Sequence, residues 1–150
     1  MAETGVEVRT AVAGDEGPVG KLIAQLWPSA AFDQDVIRTA FRAGLNAPNC
    51  QYWVAEIYAI PIGMISLSWS GNIFEAAFRV GMIDELVVDE NWRGRGIGER
   101  LVDVAADFAR QRGLAALELT TAGHRDAAHR FYESRGFSRR ETRVYWRELS

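Results

Sequence analysis

Cysteine is almost absent: Cys50 is the only one in 150 residues. No internal disulfide framework can hold this fold, and a reducing, cytoplasmic compartment is expected. Histidine is scarce as well. His124 and His129 stand five apart, a spacing that does not stack on one helix face, and no cysteine or carboxylate cluster accompanies them, so no metal site is expected. Long hydrophobic runs are missing too. The longest, Ile57 to Ile65, is broken by Pro61 and Gly63 and falls far short of the ~20 residues that cross a bilayer. The start, MAETGVEVRT, lacks the basic and apolar regions of a signal peptide. There is no repeat, and no proline-, serine- or charge-rich linker. With 48% hydrophobic and 25% charged residues, the composition is that of an ordinary globular chain. A single domain over residues 1–150 is expected.

A net charge of -3 excludes bulk electrostatic binding to nucleic acid. The charge is unevenly divided, however. Residues 1–92 carry 12 acids against 5 bases, net -7, and residues 93–150 carry 8 acids against 12 bases, net +4. Such a split arises by chance on a solvated surface, or it reflects a C-terminal part that meets an anion and an N-terminal part that meets a cation.

Hydrophobic periodicity outlines the elements. Val6 to Val12 alternates as a strand. Asp15 and Pro18 open a helix with Val19, Leu22, Ile23 and Leu26 at helical spacing, and Pro28 follows it. A second helix runs from Asp33, with Val36, Ile37, Ala40 and Phe41 on its buried face and Gly44 near its close. Gln51 to Tyr58 and Ile62 to Trp69 form a hairpin turning around Pro61, and Ser70-Gly71-Asn72 is a further turn. A strand follows from about Arg79 to Asp89. From Gly98 a helix places Leu101, Val104, Ala105 and Phe108 on one face and ends at Gly113. Leu114 to Thr120 is a short strand. Arg125 to Arg135 is a helix with Ala127, Ala128 and Phe131 inward and Gly136 as a left-handed cap. The tail, Phe137 to Leu149, is expected to add one or two closing strands. Helices interleaved with strands imply an α/β, mixed sheet covered on both faces.

Chemistry concentrates between Ile83 and Gly98. A strand, Asp84-Glu85-Leu86-Val87-Val88, feeds through Arg93-Gly94-Arg95-Gly96-Ile97-Gly98 into an amphipathic helix. Three alternate glycines strip side chains from the turn, so that successive backbone N–H groups face inward where the helix begins. A helix N-terminus of this kind suits a phosphate or pyrophosphate, and Arg93 and Arg95 add charge. The spacing is not that of a dinucleotide fold, and the Lys-Ser/Thr pair of a phosphate loop is missing. On spacing alone, a sharp turn with exposed arginines explains the pattern equally well.

The run Arg93 to Gly98 resembles the Arg/Gln-x-x-Gly-x-Gly/Ala signature of the GCN5-related N-acetyltransferase (GNAT) family, and Leu86-Val87-Val88 resembles its cofactor-binding strand. Downstream, Ala128 to Phe137 is similar to the family's Ala-x-x-Phe-Tyr-x-x-x-Gly-Phe helix. The resemblance implies an acyl-CoA N-acyltransferase fold, a mixed, mostly antiparallel central sheet flanked by about four helices. It implies acetyl-CoA as cosubstrate and no metal. The pyrophosphate would lie on Arg93, Gly94, Arg95, Gly96, Ile97 and Gly98, and pantetheine would pair with the backbone of Leu86 and Val88 around Val87. Tyr132 matches the tyrosine that protonates the departing thiolate, with Phe131 as core or as a pantetheine wall. Many relatives carry Asn where this chain has Arg125. Arginine cannot accept a hydrogen bond, but it can meet a CoA phosphate.

Acetyl transfer also needs an acceptor for the amine proton. Family members often place a base, or a water positioned by one, just before the cofactor-binding strand, at the position of Asp84 and Glu85. Side chains alternate along a strand, so only one of the two faces the acceptor unless a bulge changes the count; Glu85 is the preferred base, Asp84 the second choice, and an ordinary strand-end salt bridge the alternative. Trp27 and Phe32 fall where the family's first two helices frame the acceptor. The implied activity is acetylation of a primary amine on a small molecule or a protein, and a homodimer paired through Val144 to Trp146 is compatible with it. The competing function is a catalytically silent CoA-binding sensor, which would have no need of Tyr132 or the two acids.

Overall fold

Glycine, proline and capping side chains punctuate the described residues into five strands and five α-helices, besides two short 3-10 turns at Ala13–Asp15 and Glu90–Trp92. The computed structural model describes residues 5–28, 31, 33–121 and 126–149. Their order is β1 (Glu7–Thr10), α1 (Glu16–Leu26), α2 (Gln34–Asn46), β2 (Cys50–Ile57), β3 (Ile60–Trp69), α3 (Ile73–Phe78), β4 (Val80–Val88), α4 (Ile97–Gln111), β5 (Ala116–Glu118) and α5 (Asp126–Ser134). They fall into two compact units, Met1–Thr120 and Thr121–Ser150.

The first unit is built on one sheet with strand order β1-β2-β3-β4-β5. The first four strands are antiparallel neighbours and β5 joins β4 in parallel, which is the mixed, mostly antiparallel sheet expected. Alternation along β2 and β3 sends side chains to two faces. Val54, Met64 and Val87 pack under α1 and α2 with Val19, Leu22 and Phe41. On the opposite face, Trp53 and Trp69 meet the Phe108 ring of α4 at 5.2 and 5.6 Å. A Cβ on Gly63 would approach Leu101 and Ile97 of the same helix.

Asp15, which precedes α1, is buried; its carboxylate accepts two bonds from Arg9 at 2.8 Å and one from the Val12 N–H at 2.8 Å, while Arg9 Nε reaches Glu56 at 2.9 Å. This network ties β1 and β2 to the start of α1. It also holds the Asp15 carboxyl below the usual carboxylate range, chiefly through the Arg9 bonds and against the cost of burial.

Several expectations are corrected. The hairpin turns at Tyr58 and Ala59, both with positive φ, and not around Pro61. Pro61 lies within β3 opposite Glu56, where the register shifts and a missing N–H is tolerated. Between β3 and β4 stands a helix, α3, capped by Asn72, whose side chain accepts from the Glu75 N–H at 2.8 Å. Its six residues have no buried face, so periodicity did not reveal it. On α2 the buried residues are Phe41 and Gly44, and Val36 is exposed; on α4 they are Ile97, Leu101, Val102, Ala105 and Ala109.

In the second unit, α5 ends as expected. Gly136 has φ 90°, and the Phe137 N–H donates to the Tyr132 carbonyl at 3.1 Å. None of the described α5 residues is buried, and Ala127 is exposed. The tail forms no strand over residues 137–149, and Val144, Tyr145 and Trp146 are exposed. β-branched and aromatic composition is not enough without a ladder partner.

Candidate active site

Between the pairs Ile65–Leu86 and Leu67–Ile83, a single residue of β3, Ser66, stands opposite two of β4, Asp84 and Glu85. This is a β-bulge, and it breaks the alternation of β4 at the two acids. Both carboxylates therefore reach serines on one face of β3. Asp84 Oδ2 accepts from Ser68 Oγ at 2.7 Å, and Glu85 Oε2 accepts from Ser66 Oγ. The Glu85 N–H closes the second pair by donating to Ser66 Oγ at 2.9 Å. Across β2, Tyr52 lies opposite Ser66 and Cys50 opposite Ser68, so all six share the α2 side of the sheet. The Tyr52 ring stacks on Phe41 of α2, with centroids 5.6 Å apart.

Crowding of acids in partial burial sets the electrostatics here. Desolvation raises the Glu85 carboxyl above its ordinary value, and Asp84 adds to this while the Ser66 bond opposes it. Asp84 is raised for the same leading reason, with the Ser68 bond opposing and Glu75 adding. Burial, reinforced by these acids, pushes the Tyr52 hydroxyl up to about 12 and raises the Cys50 thiol. A group beside Asp84 and Glu85 therefore sits in negative potential, next to a carboxyl that holds protons more tightly than usual.

C-terminal to the two acids, β4 has no outer strand partner among the described residues of the first unit. It pairs with β5 only over Val80–Met82. On the inner side, the Asp89 N–H donates to the Ile62 carbonyl at 2.7 Å. The alternation of an antiparallel ladder then directs the N–H and C=O of Leu86 and Val88 to the outer edge, and those of Val87 to β3. Val87 also buries its side chain in the core. At the outer edge, the Val88 carbonyl accepts from Arg93 Nε at 3.0 Å.

The chain then enters the glycine turn. Gly94 and Gly96 have φ 78° and 80°, a region that L side chains rarely adopt, and a Cβ on Gly94 would meet nothing within 4 Å. Gly96 is the residue from which α4 starts. Ile97 buries its side chain, so only its backbone faces the turn. Arg95 lies over the Trp92 ring at 4.7 Å. From α1, Gln25 bonds the Asp89 carboxylate and the Glu90 N–H at 3.1 and 2.9 Å, which anchors the approach. A left-handed turn with open space above it, leading to a helix N-terminus beside an unpaired strand edge, fits a pyrophosphate followed by an extended amide chain.

In the second unit, Tyr132 lies on α5 between Phe131 and Phe137, with ring centroids at 5.4 and 5.9 Å. Arg125, Phe32 and His124 lie outside the described residues. Trp53 and Trp69 are core residues, whereas Trp27 is 47% exposed. Among the described residues, no group of His, Cys, Asp or Glu could hold a metal ion, and no helix is long and apolar enough to cross a membrane.

The acetyltransferase (GNAT) family model matches residues 19–137. The chain belongs to the GNAT family. It is an acetyl-CoA-dependent N-acetyltransferase. This GNAT chain is 37% identical over 131 residues to the aminoalkylphosphonate N-acetyltransferase of Salmonella typhimurium, covering 87% of this chain and 84% of that one. It spans only 42% of an uncharacterized N-acetyltransferase of Methanocaldococcus jannaschii, to which it is 33% identical over 97 residues. A solved putative acetyltransferase of Agrobacterium tumefaciens superposes with TM-score 0.84 at 30% identity, covering 95% of this chain and 99% of that one. An aminoglycoside N-acetyltransferase in complex with CoA shares the fold, with TM-score 0.85 at 17% identity, covering 97% and 95%.

Sequence reading missed Ser66, Ser68 and Tyr52. A signal was present in Met64-Ile65-Ser66-Leu67-Ser68-Trp69, where two hydroxyls interrupt an otherwise apolar strand at a spacing of two.

Proposed function

We propose that this GNAT enzyme transfers the acetyl group of acetyl-CoA directly to the primary amine of a small, positively charged acceptor, with Glu85 accepting the amine proton. The observation that carries this reading is the bulge opposite Ser66. It presents Asp84 and Glu85 on one face immediately before the open-edged stretch of β4.

An amine of pKa about 10.4 is neutral in only about one molecule in 2,500 at pH 7, a deficit of roughly 4.6 kcal/mol. Two carboxylates attract the ammonium form, and Glu85, raised by desolvation, is a better proton acceptor than a solvated glutamate. The outward amides of Leu86 and Val88 are suited to hold the pantetheine chain and to donate to the oxygen that gains charge as the amine attacks. The backbone of Gly94, Gly96, Ile97 and Gly98, with Arg93 and Arg95, receives the pyrophosphate. The similarity of Ala128 to Phe137 to the family's second motif supports Tyr132 as the group that gives its proton to the departing thiolate, with Phe131 as a wall for pantetheine.

Free-thiol release from acetyl-CoA, followed across an amine panel, tests the reading. The panel holds a polyamine, an aminoglycoside, an aminoalkylphosphonate and a peptide with a free N-terminus. A cationic small amine is expected to give the highest kcat/KM. Preference for the phosphonate or the peptide would overturn the acceptor class. For the base, Glu85→Gln is expected to remove the acid limb of kcat/KM, and an unaltered limb would exclude Glu85.

A further inference from the structure

Ser66 is fully buried on a strand whose neighbouring residues are almost all apolar and buried. A hydroxyl there would cost free energy if it were left without partners. It has two, and both belong to the same residue: Ser66 Oγ accepts from the Glu85 N–H at 2.9 Å and donates to Glu85 Oε2. Main chain and side chain of Glu85 are therefore gripped by one atom of the next strand, at the point where the bulge leaves the Glu85 N–H without a ladder partner in register. Ser68 takes the carboxylate of Asp84, and the structure records no Ser68 bond to the Asp84 N–H.

We propose that Ser66 is a positioning residue for acetyl transfer: it locks the Glu85 side chain in one orientation over the bulge and stabilises its charged form. This rests on the reading of Glu85 as the proton acceptor. The groups that face this carboxyl are Asp84 beside it on β4 and Cys50 and Tyr52 from β2; α2 presents the Phe41 ring, stacked on Tyr52, and Glu75 of α3 acts on Asp84. Burial and the neighbouring Asp84 disfavour a charged Glu85, and the hydroxyl of Ser66 favours it. Without that hydroxyl, the carboxyl would swing free of the bulge and take up a proton at higher pH.

Ser66→Ala tests this. The acid limb of kcat/KM is expected to move up by about one pH unit, the loss of one charge-assisted hydrogen bond. Activity then falls about tenfold on the acid side and changes little on the alkaline plateau, with KM for acetyl-CoA unaltered. Ser66→Thr, which retains the hydroxyl, is expected to return the limb toward its original position. Carbon-13 titration of the Glu85 carboxyl, assigned with Glu85→Gln, reads the same shift without turnover. If Glu85→Gln keeps the acid limb, the assignment of the base fails, and the carboxyl titration still decides the role of Ser66. A Glu85 titration unmoved by Ser66→Ala, or a pH-independent loss of rate, overturns the proposal. A crystal structure of the unmutated enzyme with Ser66 Oγ out of hydrogen-bond reach of Glu85 would do so as well.

Discussion

Gly44→Ala is a sharp probe of how α2 seats on β2. A Cβ at Gly44 would lie 1.7 Å from Tyr52 Oη, 2.3 Å from Cζ and 2.7 Å from Cε2, where carbon contacts normally begin near 3.5 Å. The ring cannot simply withdraw, because it is stacked on Phe41 at an interplanar angle of 18°. Either α2 lifts from β2 or Tyr52 swings out of its stack. Overpacking of this kind costs about 1–3 kcal/mol, and overlap with rigid ring atoms puts Gly44→Ala at the upper end. Alanine recovers about 1 kcal/mol of helix propensity, so a net loss of about 2 kcal/mol is expected. At this chain length that is a fall of about 4–8 °C in Tm. The matched control is Gly17→Ala in α1, where a Cβ would meet nothing within 4 Å; it is expected to stabilise by about 0.5 kcal/mol. Urea and thermal unfolding of both variants give the comparison, and amine KM should rise in Gly44→Ala alone because Tyr52 shares the face of Glu85. A Gly44→Ala protein as stable as the parent would refute the close approach of α2 and β2.

Asp15→Ala removes the carboxylate that accepts from Arg9 and the Val12 N–H. Breaking a buried pair costs about 3–5 kcal/mol, and because Arg9 is one-third exposed and keeps Glu56, about 2 kcal/mol is expected. The Asp15 carboxyl is depressed by folding, so its contribution is present above the unfolded value of about 3.9 and is lost as pH falls through the lower folded value. Acid unfolding should therefore be shallower in Asp15→Ala than in the parent, and identical acid profiles would exclude the linkage. Gly96→Ala forces a Cβ into the left-handed region at φ 80°; CoA affinity by calorimetry is expected to fall about tenfold, and unchanged affinity would remove Gly96 from the phosphate turn. Tyr132→Phe is expected to lower kcat about 100-fold with KM for acetyl-CoA retained; an unchanged rate and pH profile would exclude Tyr132 as the acid.

Much of this enzyme is legible locally. The glycine turn announces itself because Gly94 and Gly96 are needed at positive φ, and backbone conformation of that kind selects residue type one position at a time. The end of α4 at Gly113 and the Gly136 cap are readable for the same reason, and the start of α2 is readable because the Asp33 side chain caps it by accepting from the Asp35 N–H. The amphipathic pattern of α4 follows from helical period. The family follows from two local motifs, and the matched region encloses both.

What the chain could not announce is everything that depends on a partner strand. The two-residue turn at Tyr58 and Ala59 uses positive φ without glycine, so no local signal marks it. Val144 to Trp146 has strand composition, but residues 137–149 form no strand. Above all, Asp84 and Glu85 are adjacent, and alternation assigns them to opposite faces. The bulge brings both carboxylates to the serines of one face. A bulge is a difference in residue count between two paired strands, so it exists only once β3 and β4 have met. The local sequence determined the chemistry this protein carries. The register of the sheet decided which of its carboxylates share a face.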